Sequence, residues 1–382
     1  MRLVPIKHVQ EGAVLAKPLY DADGRVLLQR GMELNETRLT RALAMGFKSL
    51  YINDEFSTNY IDDMIDPATR ITSVKAMKDS FNKFDKFVNA NNKGTTSARH
   101  LSTLRYDYVS DIKNAAGNII EELLLKRELM INIQDIKHME DYLYQHSVNV
   151  AVLSVLLGMD LGYPESKLKE LAIGALLHDV GYNFVPSKII NKPGPLTRKE
   201  KDEIEKHTLM GYAHLSDNID LSAHIRMIVL QHHEWLDGTG YPNKKADKEI
   251  IEMARIVAIA DVYDALTSDR PYREALNPNE AIEYLLAYAH RQLDHKLVTS
   301  FIKLIIPYPV GTLVKLTDGR IGVVDSLDPD FPLRPLVRMI IQDNSNRVLV
   351  EEIDLMKVPN VMIEGVQYEL PNYSLGHAIK KM

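Results

Sequence analysis

The sequence contains no cysteine. That excludes disulfides, thiolate ligands and a cysteine nucleophile, and leaves histidine, aspartate and glutamate to bind any metal. Long apolar runs are also missing. The longest, Val148 to Met159, is interrupted by Asn149 and Ser154 and falls short of the roughly 20 residues that cross a bilayer. The amino terminus, Met-Arg-Leu-Val-Pro-Ile-Lys-His, has no apolar stretch of the signal-peptide kind. The expectation is a reducing, cytoplasmic compartment without membrane insertion. A basic excess is lacking too: net charge is −6 with both signs interspersed, so a DNA or RNA polymer is not an expected partner. A local cationic pocket for a small anion stays open. Sustained heptads and low-complexity tracts are absent.

What is present has globular proportions, with 45% hydrophobic and 26% charged residues, and a length of 382 residues points to several domains. Residues 1–54 read as a small β-rich unit. Ala13 to Tyr20 and Arg25 to Leu28 flank a hairpin signal at Asp23-Gly24, and a helix from Glu36 to Met45, stopped at Gly46, precedes a strand from Lys48 to Ile52. Residues 55–124 are helical and polar, broken by a loop at Asn91 to Ser97. They form a connector or a dimerising helical pair, and the sequence leaves both open. In residues 307–382 alternation returns. Leu313 to Thr317 and Ile321 to Val324 flank Asp318-Gly319, and Arg338 to Ile341 and Val348 to Glu351 flank Asp343 to Asn346. Four short strands of this kind predict a small barrel or sandwich.

The block 125–306 is predicted to be all α, which makes the chain a mainly α multidomain protein with β-rich units at both ends. Leu168, Leu171, Ala172, Ala175 and Leu176 repeat with helical period and deliver His178 and Asp179 at a carboxyl end. Thr197 with Glu200 forms a capping box that starts a helix whose later turns carry His207. Asn277, Pro278 and Glu280 start another.

Residues 232–242 read His-His-Glu-Trp-Leu-Asp-Gly-Thr-Gly-Tyr-Pro. Two adjacent imidazoles and two carboxylates precede a double-glycine turn. A lone histidine is most often a satisfied core or surface residue, and His146, on an apolar helix, has that alternative. Together, however, His146, His178-Asp179, His207, the 232–242 segment and Asp261 supply nitrogen and oxygen ligands for a multi-metal centre. Two neighbouring divalent ions can lower the pKa of a shared water and polarise a phosphoryl oxygen. Asp179, at a helix end beside His178, is the natural bridging carboxylate. Asp264 shares a helical side with Asp261 and either supports a metal ligand or touches the substrate. Glu234 is a candidate for orienting a ligating imidazole.

These motifs, with Ala260-Asp261-Val262-Tyr263-Asp264-Ala265-Leu266-Thr267 and then Arg270-Pro271-Tyr272-Arg273, closely resemble the HD-GYP family of bacterial cyclic di-GMP phosphodiesterases, within the HD phosphohydrolases. The resemblance covers roughly residues 130–306. It implies metal ligands at His146, His178, Asp179, His207, His232, His233 and Asp261, with His178 and Asp179 central to catalysis. It implies two divalent ions, iron or manganese with zinc as an alternative, and a shared hydroxide that opens cyclic di-GMP to linear pGpG, with GMP as a further product. Tyr241, Arg270 and Arg273 would lie near the dinucleotide, the arginines pairing with phosphate or guanine edges.

The chain departs from the family pattern in two places. Gly181 is followed by Tyr182 where the pattern has lysine, which puts a neutral hydroxyl where a cation would face phosphate. Tyr142 stands where some members carry a third-metal glutamate, so a two-metal site is expected, with Asp141 a weaker oxygen candidate. The Tyr182 departure motivates a rival reading, a catalytically weak cyclic di-GMP receptor that signals to a partner at the β-rich ends. A third reading keeps the chemistry and changes the signalling nucleotide.

Overall fold

The computed structural model describes residues 1–21, 25–53, 63–92, 98–126, 142–190, 192, 194–216, 220–268, 275–342 and 348–369. The chain forms two compact units. Of the described residues, the smaller holds those up to 63 and from 303 onwards, and the larger holds those from 64 to 302.

In the smaller unit, β1 (Arg2–Pro5) and β2 (Val14–Leu15) flank β5 (Ser49–Asn53) in an antiparallel sheet. The stretch expected as one strand over Ala13 to Tyr20 is divided: Pro18, which lacks the amide a ladder needs, separates β2 from β3 (Leu19–Tyr20). β3 pairs with β4 (Val26–Leu28), and the Asp23-Gly24 turn between them lies outside the described residues. Helix α1 (Glu36–Ala44) begins where Asn35 accepts from the Arg38 amide at 3.0 Å. Val4, Leu15, Leu19, Leu34, Phe47 and Leu50 form the core here.

The carboxyl-terminal sheet has five strands, not four. β6 (Leu313–Leu316), β7 (Ile321–Ser326), β8 (Leu336–Gln342) and β9 (Val348–Asp354) run as a meander, and β10 (Ile363–Val366) returns beside β6. The sequence hides β10 because Gly365 sits at a register shift that breaks its alternation. Both β-rich ends belong to this one unit: Arg2 donates to the Gln367 carbonyl at 3.3 Å, and Tyr368 packs on the amino-terminal core.

The larger unit is helical. An antiparallel pair, α2 (Pro67–Asn92) and α3 (Ala98–Leu125), packs on α4 (Tyr142–Asp160) and α5 (Glu165–Leu177). Every residue of α4 from His146 to Gly158 is buried, so the apolar run is a core helix hydrophobic on all sides. Among the described residues no helix is long and apolar enough to cross a membrane. Short α6 (Ser187–Ile190) leads to α7 (Arg198–Glu205), opened by the expected Thr197–Glu200 capping box. His207 does not lie in later turns of α7. It is the first residue of a new helix, α8 (His207–Ser216). Next come α9 (Ala223–Gln231), α10 (Glu252–Thr267), α11 (Pro278–Tyr288) with its Asn277 capping box, and α12 (His295–Leu304).

Candidate metal centre

Helix ends place the candidate ligands. His178 caps α5, His207 opens α8, His232 caps α9, and His146 and Asp261 come from the buried faces of α4 and α10. Two glycines permit the convergence. A Cβ at Gly181 would overlap the His207 carbonyl, and one at Gly240 would overlap the backbone of His233 and Trp235. Gly181 therefore lets the turn after Asp179 lie against the start of α8. Gly240 lets the double-glycine turn fold back on the paired histidines.

Asp179 stands at the middle. Its Oδ2 is 3.1 Å from His178 Nε2 and 3.9 Å from His146 Nε2, while its Oδ1 is 3.4 Å from His207 Nε2 and 3.8 Å from His232 Nε2. Two sets of donor atoms each lie within 4.8 Å of one another: Asp179 with His207, His232 and His233, and Asp179 with His146 and His178. Asp261 reaches towards both, 3.1 Å from His146 Nε2 and 3.8 Å from His233 Nδ1.

Tautomers follow from the outer ring nitrogens. Nδ1 of His178 donates to the Ala175 carbonyl at 2.6 Å, that of His207 to Ile204 at 2.8 Å, and that of His232 to Val229 at 3.0 Å. His146 Nδ1 donates to Asp264 Oδ2 at 2.7 Å. Each ring therefore directs its Nε2 inward, the arrangement by which an imidazole is oriented for a metal. His178 Nε2 is buried without a hydrogen-bond partner, despite its nearness to Asp179, and the Nε2 atoms of His207 and His232 face each other at 3.3 Å. Lone pairs facing lone pairs and a carboxylate fit a shared cation, and this donor set suits a divalent one.

The electrostatics agree. Burial pushes His207 down to about 4 and lowers His233 as well, so both rings are neutral at neutral pH. Burial would raise Asp179 and Asp261, yet the charges and hydrogen bonds of the histidines, His178 foremost for Asp179 and His146 for Asp261, hold both carboxylates below their ordinary range. Burial also opposes charge on His146, but the hydrogen bonds its ring donates to Asp261 and Asp264 raise it to about 10. The negative potential that holds a proton there is the potential that attracts a metal ion.

Other expected site residues fall at different distances from this centre. The Tyr182 ring lies on that of His207, with centroids 4.5 Å apart, and Tyr241 lies 4.8 Å from His233. Burial raises the Tyr241 hydroxyl, which stays protonated. Asp264 is fully buried behind His146 and accepts from its Nδ1. Glu234 orients no imidazole. Its carboxylate instead accepts from the amides of Asn243 at 2.7 Å and Lys245 at 2.9 Å, pinning the loop after Tyr241. Tyr142 stacks on His146. Arg270, Arg273 and Asp141 lie outside the described residues. Sequence reasoning missed Asn149, which donates to Asp264 at 2.9 Å. Its signal was there: a polar residue inside the longest apolar run.

Residues 129–297 match the HD domain family, and residues 313–368 match a KOW domain associated with HD domains. The chain is 35% identical over 242 residues to a cyclic di-GMP phosphodiesterase of Pseudomonas aeruginosa, covering 62% of this chain and 58% of that protein. It is 33% identical over 215 residues to a cyclic di-GMP phosphodiesterase of Borreliella burgdorferi, covering 56% of each. A 3′3′-cGAMP-specific phosphodiesterase of Vibrio cholerae is 34% identical over 175 residues, 44% of this chain and 38% of that one. The chain thus spans a little over half the length of the two cyclic di-GMP phosphodiesterases.

Proposed function

We propose that this chain, whose residues 129–297 match the HD domain family, is a metal-dependent phosphodiesterase of the HD-GYP type that opens cyclic di-GMP to linear pGpG. The observation that carries the reading is Asp179, shared by two donor sets and turning one oxygen towards each. In this reading His146 and His178 would hold one ion and His207, His232 and His233 the other, with Asp179 belonging to both sets and Asp261 beside His146 and His233. Mixed imidazole and carboxylate ligation suits iron or manganese, with zinc the alternative. Divalent ions bound there would supply an activated water and neutralise charge on the phosphate.

The protein's own contribution is orientation and hydrogen bonding. Backbone carbonyls and Asp264 fix the ligand rings before any ion arrives, so little reorganisation accompanies the reaction. The protonated Tyr241 hydroxyl and that of Tyr182 donate towards phosphate oxygens. Arg270 and Arg273 take phosphate or guanine edges through paired N–H groups. The curated relatives support the hydrolase over a receptor that binds without turnover.

The test is a time course of manganese- or ferrous-loaded protein with cyclic di-GMP and, in parallel, 3′3′-cGAMP, resolving pGpG and GMP and quantifying metal in the same sample. Metal-dependent pGpG is the expected result. Full metal occupancy with tight nucleotide binding and no product would replace the enzyme with the receptor, and faster cleavage of 3′3′-cGAMP would change the substrate.

A further inference from the structure

Asp264 has no exposed surface. Its carboxylate accepts from His146 Nδ1 at 2.7 Å, Asn149 Nδ2 at 2.9 Å and Ser268 Oγ at 3.1 Å, among the described residues. A carboxylate only accepts, so the Asn149 amide turns its NH2 to Asp264 and its carbonyl oxygen away. The guanidinium of Arg70 donates to that oxygen. A directed chain results, running from Arg70 to Asn149 to Asp264 and meeting the ring of His146 there.

The position of each member is informative. Asn149 is 1% exposed on a helix otherwise made almost wholly of apolar and small residues. Such an amide is costly to bury unless both of its ends are bonded, and Arg70 and Asp264 bond both. Arg70 lies in the first turn of α2, ahead of the segment that matches the HD domain family. A residue of the added helical pair therefore reaches a buried partner of the candidate ligand His146.

We propose that Arg70 and Asn149 are positioning residues of the metal centre: they hold Asp264, Asp264 holds the imidazole of His146, and the seating of α2 thereby sets how tightly ions are held. The inference rests on the reading of His146 as a ligand. Groups that orient metal-bound histidines commonly alter metal affinity by about 10–100-fold when removed.

The experiment is calorimetric titration of the metal-free full chain with Mn²⁺ for the wild type, Asn149→Ala, Arg70→Ala, Arg70→Lys and His146→Ala, with the melting temperature of each metal-free protein. Asn149→Ala is expected to weaken Mn²⁺ binding by about ten-fold or more. Arg70→Ala should give a smaller loss in the same direction, which Arg70→Lys, by restoring a donor, recovers in part. A purely structural role would lower the melting temperature and leave the Mn²⁺ affinity at the wild-type value. That result in Asn149→Ala and Arg70→Ala, with binding lost in His146→Ala, overturns the relay alone. If Asn149→Ala does not fold, the half-buried Arg70 pair decides. Wild-type affinity in His146→Ala would instead overturn the assignment of His146 as a ligand, and the relay with it.

Discussion

The ring of Tyr182 lies against that of His207, with centroids 4.5 Å apart and 20° between the planes. One of the two residues that depart from the HD-GYP pattern is thus placed against the candidate centre. Tyr182→Phe keeps this stack and removes only the hydroxyl. It should leave metal content unchanged and lower turnover of cyclic di-GMP by about ten-fold, the size of one lost hydrogen bond. Tyr182→Lys brings a cation to the same place and should raise turnover. Steady-state rates with metal analysis check both, and identical rates in all three proteins would remove Tyr182 from the substrate's surroundings.

Asp179→Ala removes the carboxylate shared by both donor sets. Turnover should vanish and metal content should fall together, as read by product chromatography and elemental analysis of one preparation. Retention of both would sink the site assignment.

Metal should also stabilise the fold, because the donors converge only in the folded chain. With Mn²⁺ at a hundred times its Kd the gain is about 2.7 kcal/mol, a readily measured rise in melting temperature that a chelator should reverse. A melting temperature indifferent to both additions would contradict a metal site at His146, His178, His207 and His232.

At Gly181 an added Cβ meets the His207 backbone, not a flexible side chain. Gly181→Ala should cost about 1–3 kcal/mol, as overpacking does, and should weaken metal binding by displacing the start of α8. Denaturant unfolding and metal titration test the two effects separately.

Glu200 supplies the pH prediction. The Lys192 ammonium, followed by the Thr197 amide and hydroxyl, lowers its carboxyl from 4.5 to about 2. A folded-state value below the unfolded one stabilises the protein above about 4.5, and the contribution disappears as pH falls towards 2. Glu200→Gln should therefore melt below the wild type at pH 7, and the gap should narrow below about pH 4.5 and close as the pH approaches 2. A gap independent of pH would show that the carboxylate charge is not what matters.

Residue type and spacing pick out side chains that the fold brings together. The seven expected ligands converge, and the capping boxes at Thr197 and Asn277 start the helices they should. The failures share a cause. Glu234 looked like a partner for an imidazole, but the folded loop brings the amides of Asn243 and Lys245 closer. His207 looked like part of a longer helix, because local pattern does not register the break at Lys206. Strand β10 was lost because pairing with β6, not alternation, holds it.

Sequence alone determined that no thiolate ligand was on offer, that the apolar run of α4 was too short and interrupted to cross a bilayer, and that His178-Asp179 stood at a helix end. These are properties of composition and local periodicity, which survive without knowledge of partners. The tertiary structure decided which carbonyl fixes each imidazole tautomer, that Asp179 offers one oxygen to each donor set, and that Arg70 bonds to Asn149 from 79 residues away. Those facts depend on contacts between distant elements, where a few ångströms decide whether a polar group is a ligand, a support or a bystander.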